Sequence, residues 1–266
     1  MLKSVKTLDG FVIAATDGHL GRVKDIYFDD EQWTIRYFEV DTGGWLTGRR
    51  VLLSPISVTS IDWTHDTIHV SLTKQEVQNS PGIETAKPVS RQHETALFNY
   101  YGYPYYWTGP YIWGYTAFPM MAGQPPLEDP TLHTRDDPQQ DGDPHLRSKD
   151  EVVGYDIEAT DETVGHVEDL LFDDKNWSIP LIVVDTRKWW AGKHVLVSPK
   201  RIERVSWEEK SVMVNVTREQ VESSPEYSAG VLPQEEEYED VYWHMGRPMP
   251  VPEDRKDAGD GSRHGR

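Results

Sequence analysis

Apolar and β-branched residues along this chain fall in short runs broken by polar turns. Phe11 to Ala15 reads as a strand, and Asp17-Gly18 as the turn after it. Arg22 to Phe28 and Trp33 to Asp41 read as two further strands. Asp29-Asp30-Glu31-Gln32 between them is polar and short, as a hairpin loop should be. Arg50 to Leu53, Val58 to Trp63 and Thr67 to Leu72 supply three more strands. In Thr73-Lys74-Gln75-Glu76 the threonine and glutamate fit a capping box. A helix of one or two turns is predicted to follow, stopped by Ser80-Pro81.

The whole pattern recurs 144 residues later with no gap. Thr16-Asp17 returns as Thr160-Asp161, and Gly21, Val23 and Asp25 as Gly165, Val167 and Asp169. Phe28-Asp29-Asp30 becomes Phe172-Asp173-Asp174, and Trp33 becomes Trp177. Val40-Asp41-Thr42, Trp45 and Gly48 become Val184-Asp185-Thr186, Trp189 and Gly192. Val51-Leu52 with Ser54-Pro55, Trp63 and Ser80-Pro81 become Val195-Leu196 with Ser198-Pro199, Trp207 and Ser224-Pro225. Thr217-Arg218-Glu219-Gln220 repeats the capping box. Because no loop changes length, the turns themselves must be constrained. In the second copy Pro180 lies inside the run Trp177 to Val184, which predicts an edge or a bulge there.

Many short strands with tight turns in about 70 residues predict an all-β fold, a small barrel or sandwich, present twice. A closed barrel would also remove exposed edges. The expected organisation is a first module over 1–83, an aromatic insert and flexible linker over 84–147, a second module over 148–228, and an acidic, largely disordered tail over 229–266.

The insert departs most from the repeat. Asn99 to Tyr115 holds seven Tyr and two Trp in 17 residues, punctuated by Gly102, Pro104, Gly109, Pro110 and Gly114. Glycine and proline argue against a long helix, and period-2 alternation is absent, so an irregular aromatic loop is predicted. Aromatics this dense are seldom left in water. They pack as a shared core, form a partner-binding patch, or anchor at a membrane interface. Scarce Lys and Arg nearby disfavour the last. Gly123 to Asp143, rich in Pro, Gln and Asp, reads as flexible linker. A weaker echo pairs "LFNYYGYP" after the first copy with "VYWHMGRP" after the second, so each copy can end in a short aromatic tail.

The net charge is -18, from 45 acidic and 27 basic residues among 266. Such a field repels phosphate backbones and disfavours direct nucleic-acid binding. The second module carries -7 and the first -3, so their surfaces have diverged. With no cysteine, disulfides and thiol chemistry are excluded. No apolar core of signal-peptide length follows the N-terminus and no run of about 18 apolar residues occurs, so the expected location is cytoplasmic with no membrane span.

No Walker loop, dinucleotide glycine fingerprint, HExxH or GxSxG motif is present. His65 and His69 stand at i, i+4 but flank a turn, where that spacing makes no shared face. Asp25, Asp29, Asp30 and Asp41 recur as Asp169, Asp173, Asp174 and Asp185. A hard-cation site built from them is conceivable, but aspartate in a hairpin loop commonly serves nearby backbone N–H groups. No catalytic residue, metal ligand or cofactor site is therefore assigned. Trp45 and Trp189 sit in loops and either cap the barrel end or present a hot spot. Trp63 and Trp207 end strands and are expected in the core. The candidate partner-binding set is Trp45, Tyr103, Tyr105, Tyr106, Trp107, Tyr111, Trp113 and Trp189.

The run Asp17…Gly21-x-Val23-x-Asp25-x-x-Phe28-Asp29, then Val51-Leu52-x-Ser54-Pro55, then Ser80-Pro81, resembles the PRC-barrel family, and the copy from Asp161 resembles it equally. The likeness covers about 10–83 and 154–227. It implies two tandem PRC-like β-barrels, as in tandem proteins of bacterial type, each followed by a short helix. Known members include the cytoplasmic domain of the photosynthetic reaction-centre H protein and the C-terminal domain of a ribosome maturation factor. The resemblance thus implies a non-catalytic barrel that docks onto other macromolecules, with protein partners whose identity is open. Two alternatives stand beside it. One is an assembly factor docking on a basic ribosomal protein. The other is a small-ligand or metal binder in the groove between barrels. Neither the transmembrane helix of the reaction-centre H protein nor the extra N-terminal domain of the maturation factor is matched.

Overall fold

The expected strands form in both copies. The computed structural model describes residues 1–46, 49–82, 89–121, 145–186, 193–224 and 226–228. The first copy contains β1 (Leu2–Ser4), β2 (Val12–Ala15), β3 (Gly18–Asp29), β4 (Thr34–Asp41), β5 (Arg50–Leu53), β6 (Val58–Asp62), β7 (Thr67–Val70) and helix α1 (Lys74–Asn79). Helix α2 (Arg91–Tyr101) follows. The second copy contains β8 (Leu146–Ser148), α3 (Lys149–Val152), β9 (Asp156–Glu158), β10 (Thr163–Asp173), β11 (Leu181–Asp185) and β12 (His194–Val197). It continues with β13 (Ile202–Ser206), β14 (Ser211–Val214), α4 (Arg218–Glu222) and β15 (Glu226–Tyr227). Both capping boxes form, from Thr73 with Glu76 and from Thr217 with Gln220. The linker 123–143, the tail 229–266, Gly48, Gly192 and Pro225 lie outside the described residues.

One sheet runs β5-β4-β3-β2-β7-β6, the other β13-β14-β9-β10-β11-β12-β15. Pairing is antiparallel except for β2 with β7 and β9 with β14. Bulges recur at Val23/Asp25 and Val167/Asp169, where a strand bends and twists. The path of each sheet stays open, so closure does not remove every edge as a barrel of continuous ladders would. Gly21 and Gly165 are fixed by close approach. A Cβ on either would lie 2.1 or 2.5 Å from the carbonyl oxygen of Asp41 or Asp185. β11 begins directly after Pro180, which cannot donate to a ladder. Trp63 packs edge-on against Phe11, 5.6 Å between ring centroids, but Trp207 is exposed and is not core. It follows β13 in the turn leading to β14, where the chain leaves the sheet.

The two sheets are not built from the continuous stretches 1–83 and 148–228. β1 pairs antiparallel with β10 of the second copy, and β8 with β3 of the first. The exchange is reciprocal and obeys the 144-residue offset: Leu2 lies opposite Asp173, and Leu146 opposite Asp29. The backbone N–H of Asp30 donates to the His145 carbonyl at 2.8 Å, and that of Asp174 to the Met1 carbonyl at 3.1 Å. The hairpin tips interlock the same way. Ile35 N–H donates to the Trp177 carbonyl at 2.9 Å, and Ile179 N–H to the Trp33 carbonyl at 2.6 Å. Both tryptophans have positive φ, 48° and 65°, a strained conformation for a bulky residue. Both rings are buried, and Trp177 meets Phe172 of its own copy and Phe38 of the other at 5.3 and 5.2 Å. One continuous apolar core therefore runs through both copies and the insert, with a small second cluster around Leu171, Leu181, Val183 and Leu196.

Repeated aspartates organise this junction. Asp25 is buried on the β3 bulge and accepts from Ile26 N–H at 2.7 Å, Asp150 N–H at 3.1 Å and the Ser148 hydroxyl. Its counterpart Asp169 accepts from Leu170 N–H at 2.8 Å and the Ser4 hydroxyl. These are clasps on the exchanged strands, not turn residues. Burial pushes the Asp25 carboxyl up to about 6 and raises that of Asp169 in the same direction. Asp30 pairs with Arg147 at 2.6 Å, again across the junction. Asp29 and Asp41 do serve their local loops, accepting from Glu31 N–H at 2.8 Å and Gly43 N–H at 2.9 Å.

Candidate functional site

The insert lies on the first sheet and is helical over Arg91–Tyr101. Ser90 caps α2, its hydroxyl accepting from His93 N–H at 3.2 Å, and Gly102 closes it in the left-handed conformation. The loop expected from Asn99 thus starts only after Tyr101. Leu97 and Phe98 of α2 are buried. Phe98 gathers Tyr37 of β4 together with Tyr103, Tyr106 and Trp107 at centroid distances of 5.3 to 6.2 Å. Glu94, fully buried, accepts from the Tyr37 and Tyr106 hydroxyls, each at 2.7 Å, and pairs with Arg91 at 2.9 Å. Burial first, and then the Glu94 charge, hold both phenols well above their ordinary range, so they stay hydroxyl donors.

Arg36 of β4 ties the insert to the sheet. It is fully buried, pairs with Asp29 at 2.8 Å and donates to the Ile112 carbonyl. Its guanidinium lies 3.8 Å from the Tyr106 ring centroid and 4.9 Å from that of Trp113. Beyond it the chain turns tightly, with Tyr111 bridged to Gly114 and Trp113 to Thr116. Gly114 has φ 76°, and a Cβ there would meet the carbonyl oxygens of Tyr105 and Thr108 at 2.6 and 2.7 Å. Trp113 is buried, and its indole N–H donates to the Asn176 carbonyl of the second copy at 2.7 Å. The insert therefore touches both copies.

This packing divides the candidate partner-binding residues. Tyr103, Tyr106 and Trp113 are buried and cannot meet a partner; they are core. Tyr105 and Trp107 are half-buried, stacked on each other at 4.7 Å. Tyr111 and Trp45 are exposed, Trp45 still donating its indole N–H to the Leu20 carbonyl. Trp189 lies outside the described residues. Sequence reasoning missed the neighbours of Tyr111: Tyr115, Phe118, Met120 and Met121 are each more than half exposed. A run of large apolar side chains past the last glycine was the available signal.

The junction also leaves two clefts related by the 144-residue offset. One, of about 780 Å³, is lined by Asp30, Trp33, His145, Arg147, Pro199 and Arg204 among others. The other, of about 350 Å³, is lined by Pro55, Ser60, Trp63, Asp174 and Trp177, and also by Pro119 of the insert. The insert thus narrows one cleft, and the larger lies open between the copies.

Among the described residues no helix is long and apolar enough to cross a membrane. A search of curated proteins finds no match. The profile of the PRC-barrel domain matches residues 11–77 and again 146–221, more than half of the chain. With two matched segments, each a strand-rich unit closed by a capped helix, the chain belongs to the PRC-barrel family and carries its domain in tandem.

Proposed function

We propose that this protein is a non-catalytic docking module, in which the fused barrels are a rigid base and the insert presents the binding surface to a protein partner. The observation that carries this reading is the exposed apolar end of the insert: Tyr111, Tyr115, Phe118, Met120 and Met121 within eleven residues. Several large apolar side chains left exposed along one short segment mark interaction sites, and tyrosine and methionine are favoured there. The insert is held on that base because Trp113, Arg36 and Glu94 pin it from beneath. The resemblance to the reaction-centre H protein and to the ribosome maturation factor supports the same mode, docking without chemistry. The acidic charge favours a partner with basic surface around its contact.

The test is affinity capture from the source cells with the wild type and with Y111S/Y115S/F118S. The expected result is a defined partner bound by the wild type and lost from the variant, with unchanged circular dichroism. An unchanged partner set with a folded variant would overturn the proposal. A second reading, a small ligand in the 780 Å³ cleft, is supported by its charged lining, in which Arg147, Lys200 and Arg204 stand beside Asp30, Glu31 and Glu203. A thermal-shift screen with charged and zwitterionic metabolites tests it, since a ligand bound only to the native state must raise the melting temperature.

A further inference from the structure

At one set of four matched positions the two copies share an aspartate and differ in kind at the other three. The first copy places Arg22, Lys24, Asp41 and Arg50 there, a formal charge of +2. The second places His166, Glu168, Asp185 and His194, a formal charge of -2 with neutral imidazoles. The ladders bring these residues together. His166 of β10 lies directly opposite Asp185 of β11, which lies directly opposite His194 of β12, so the three side chains project from one face of the sheet. Glu168 is the extra residue of the Val167/Asp169 bulge, and bulges re-aim side chains. His166 Nε2 lies 3.7 Å from Asp185 Oδ2 and 4.0 Å from Glu168 Oε2. His194 Nε2 lies 4.0 Å from the same Asp185 oxygen. Ligand atoms of His166, Glu168 and Asp185 all fall within 4.8 Å of one another. The other Glu168 oxygen, Oε1, receives Lys6 of the first copy at 2.7 Å, which orients the carboxylate.

We propose that the second copy binds one divalent transition-metal ion of the zinc class through His166, Glu168, Asp185 and His194. Two imidazoles with two carboxylates suit zinc-like ions, whereas magnesium and calcium take all-oxygen sets. Bonds of about 2.0–2.2 Å in a tetrahedron place ligand atoms roughly 3.4 Å apart, so His166, Glu168 and Asp185 need only a modest contraction, while His194, outside that close group and 4.0 Å from Asp185 Oδ2, must swing in to complete the set. A +2 ion also offsets the -2 of the quartet, which Lys6 compensates in part from the rim. Four protein ligands make the closed set of a structural site. An ion there would staple β10, β11 and β12, as Arg22 and Arg50 brace the first copy through the Gly10 carbonyl and Glu39.

The test uses the full chain, stripped with a chelator and titrated with zinc against a competing chromophoric chelator. The control is H166R/E168K/H194R, which installs the residues that the first copy tolerates in the same ladder. One zinc ion per wild-type chain is expected at about 100 µM metal, with a raised melting temperature. Cobalt should give tetrahedral visible bands in the wild type alone. The folded triple variant should show none of these. No uptake by the wild type, or equal uptake by the folded variant, overturns the proposal. If the triple variant fails to fold, His166→Gln and His194→Gln must each weaken binding by about tenfold or more, and unchanged affinity in both overturns it.

Discussion

Asp25 and Asp169 show how much a single side chain can settle. Each is a strand residue that secures the strand contributed by the other copy, through Ser148 and Ser4 respectively. In the sequence they look like the hairpin aspartates beside them, because their partners lie more than a hundred residues away. Asp29 and Asp41 were legible because their partners are two residues on. The clasp has a pH signature. With the Asp25 carboxyl pushed up to about 6 from an ordinary 3.8, the native state binds its proton more tightly than the unfolded chain does. The associated stability is fully present below the unfolded value and is lost as pH rises through about 6. Asp25→Asn keeps the shape and removes the titration. Urea midpoints should therefore show the wild type gaining roughly 2–3 kcal/mol on the variant between pH 7 and pH 4. A constant difference across that range would show that Asp25 is not desolvated.

At the scale of elements, six strands and a capped helix per copy were readable from runs, turns and caps, to within a few residues. What escaped is short or is made by tertiary contact. β1 and β8 have three residues each, too few for periodicity, and pair only with the other copy. α2 carries Ser90 and Gly102 as its bounds, yet its aromatic C-terminal end merges with the Tyr/Trp run and hides it. Of the candidate site, the insert was legible as unusual, but which rings face inward was not. Arg36 and Glu94 decide that, and both are charged residues in places where charge is normally excluded. At the position of Arg36 the second copy has Pro180, so only the first can hold an insert this way. Arg36→Ala strands the Asp29 carboxylate and frees the Ile112 carbonyl, a loss of about 3–5 kcal/mol. Denaturant unfolding should register it. Limited proteolysis should cut within 103–121 before the barrels, and equal resistance to proteolysis would show that Arg36 does not hold the insert.

For the whole molecule, the reciprocal strands, interlocked hairpin tips and common core make two gene-fused copies into one cooperative body, an internal pseudo-dimer. Neither copy completes its sheet from its own stretch of chain. The asymmetries laid over that symmetry carry what is individual: the insert on the first copy, and the acidic and imidazole-bearing face of the second. The decisive measurement is native-state hydrogen exchange on the full chain and on a variant lacking residues 1–4. Loss of β1 should raise exchange at the end of β10, at 171–173, more than a hundred and sixty residues away, while the β3 amides that face β8 stay protected. Loss of protection in β3 with β10 unchanged would mean that β1 belongs to its own copy, and would contradict the exchange.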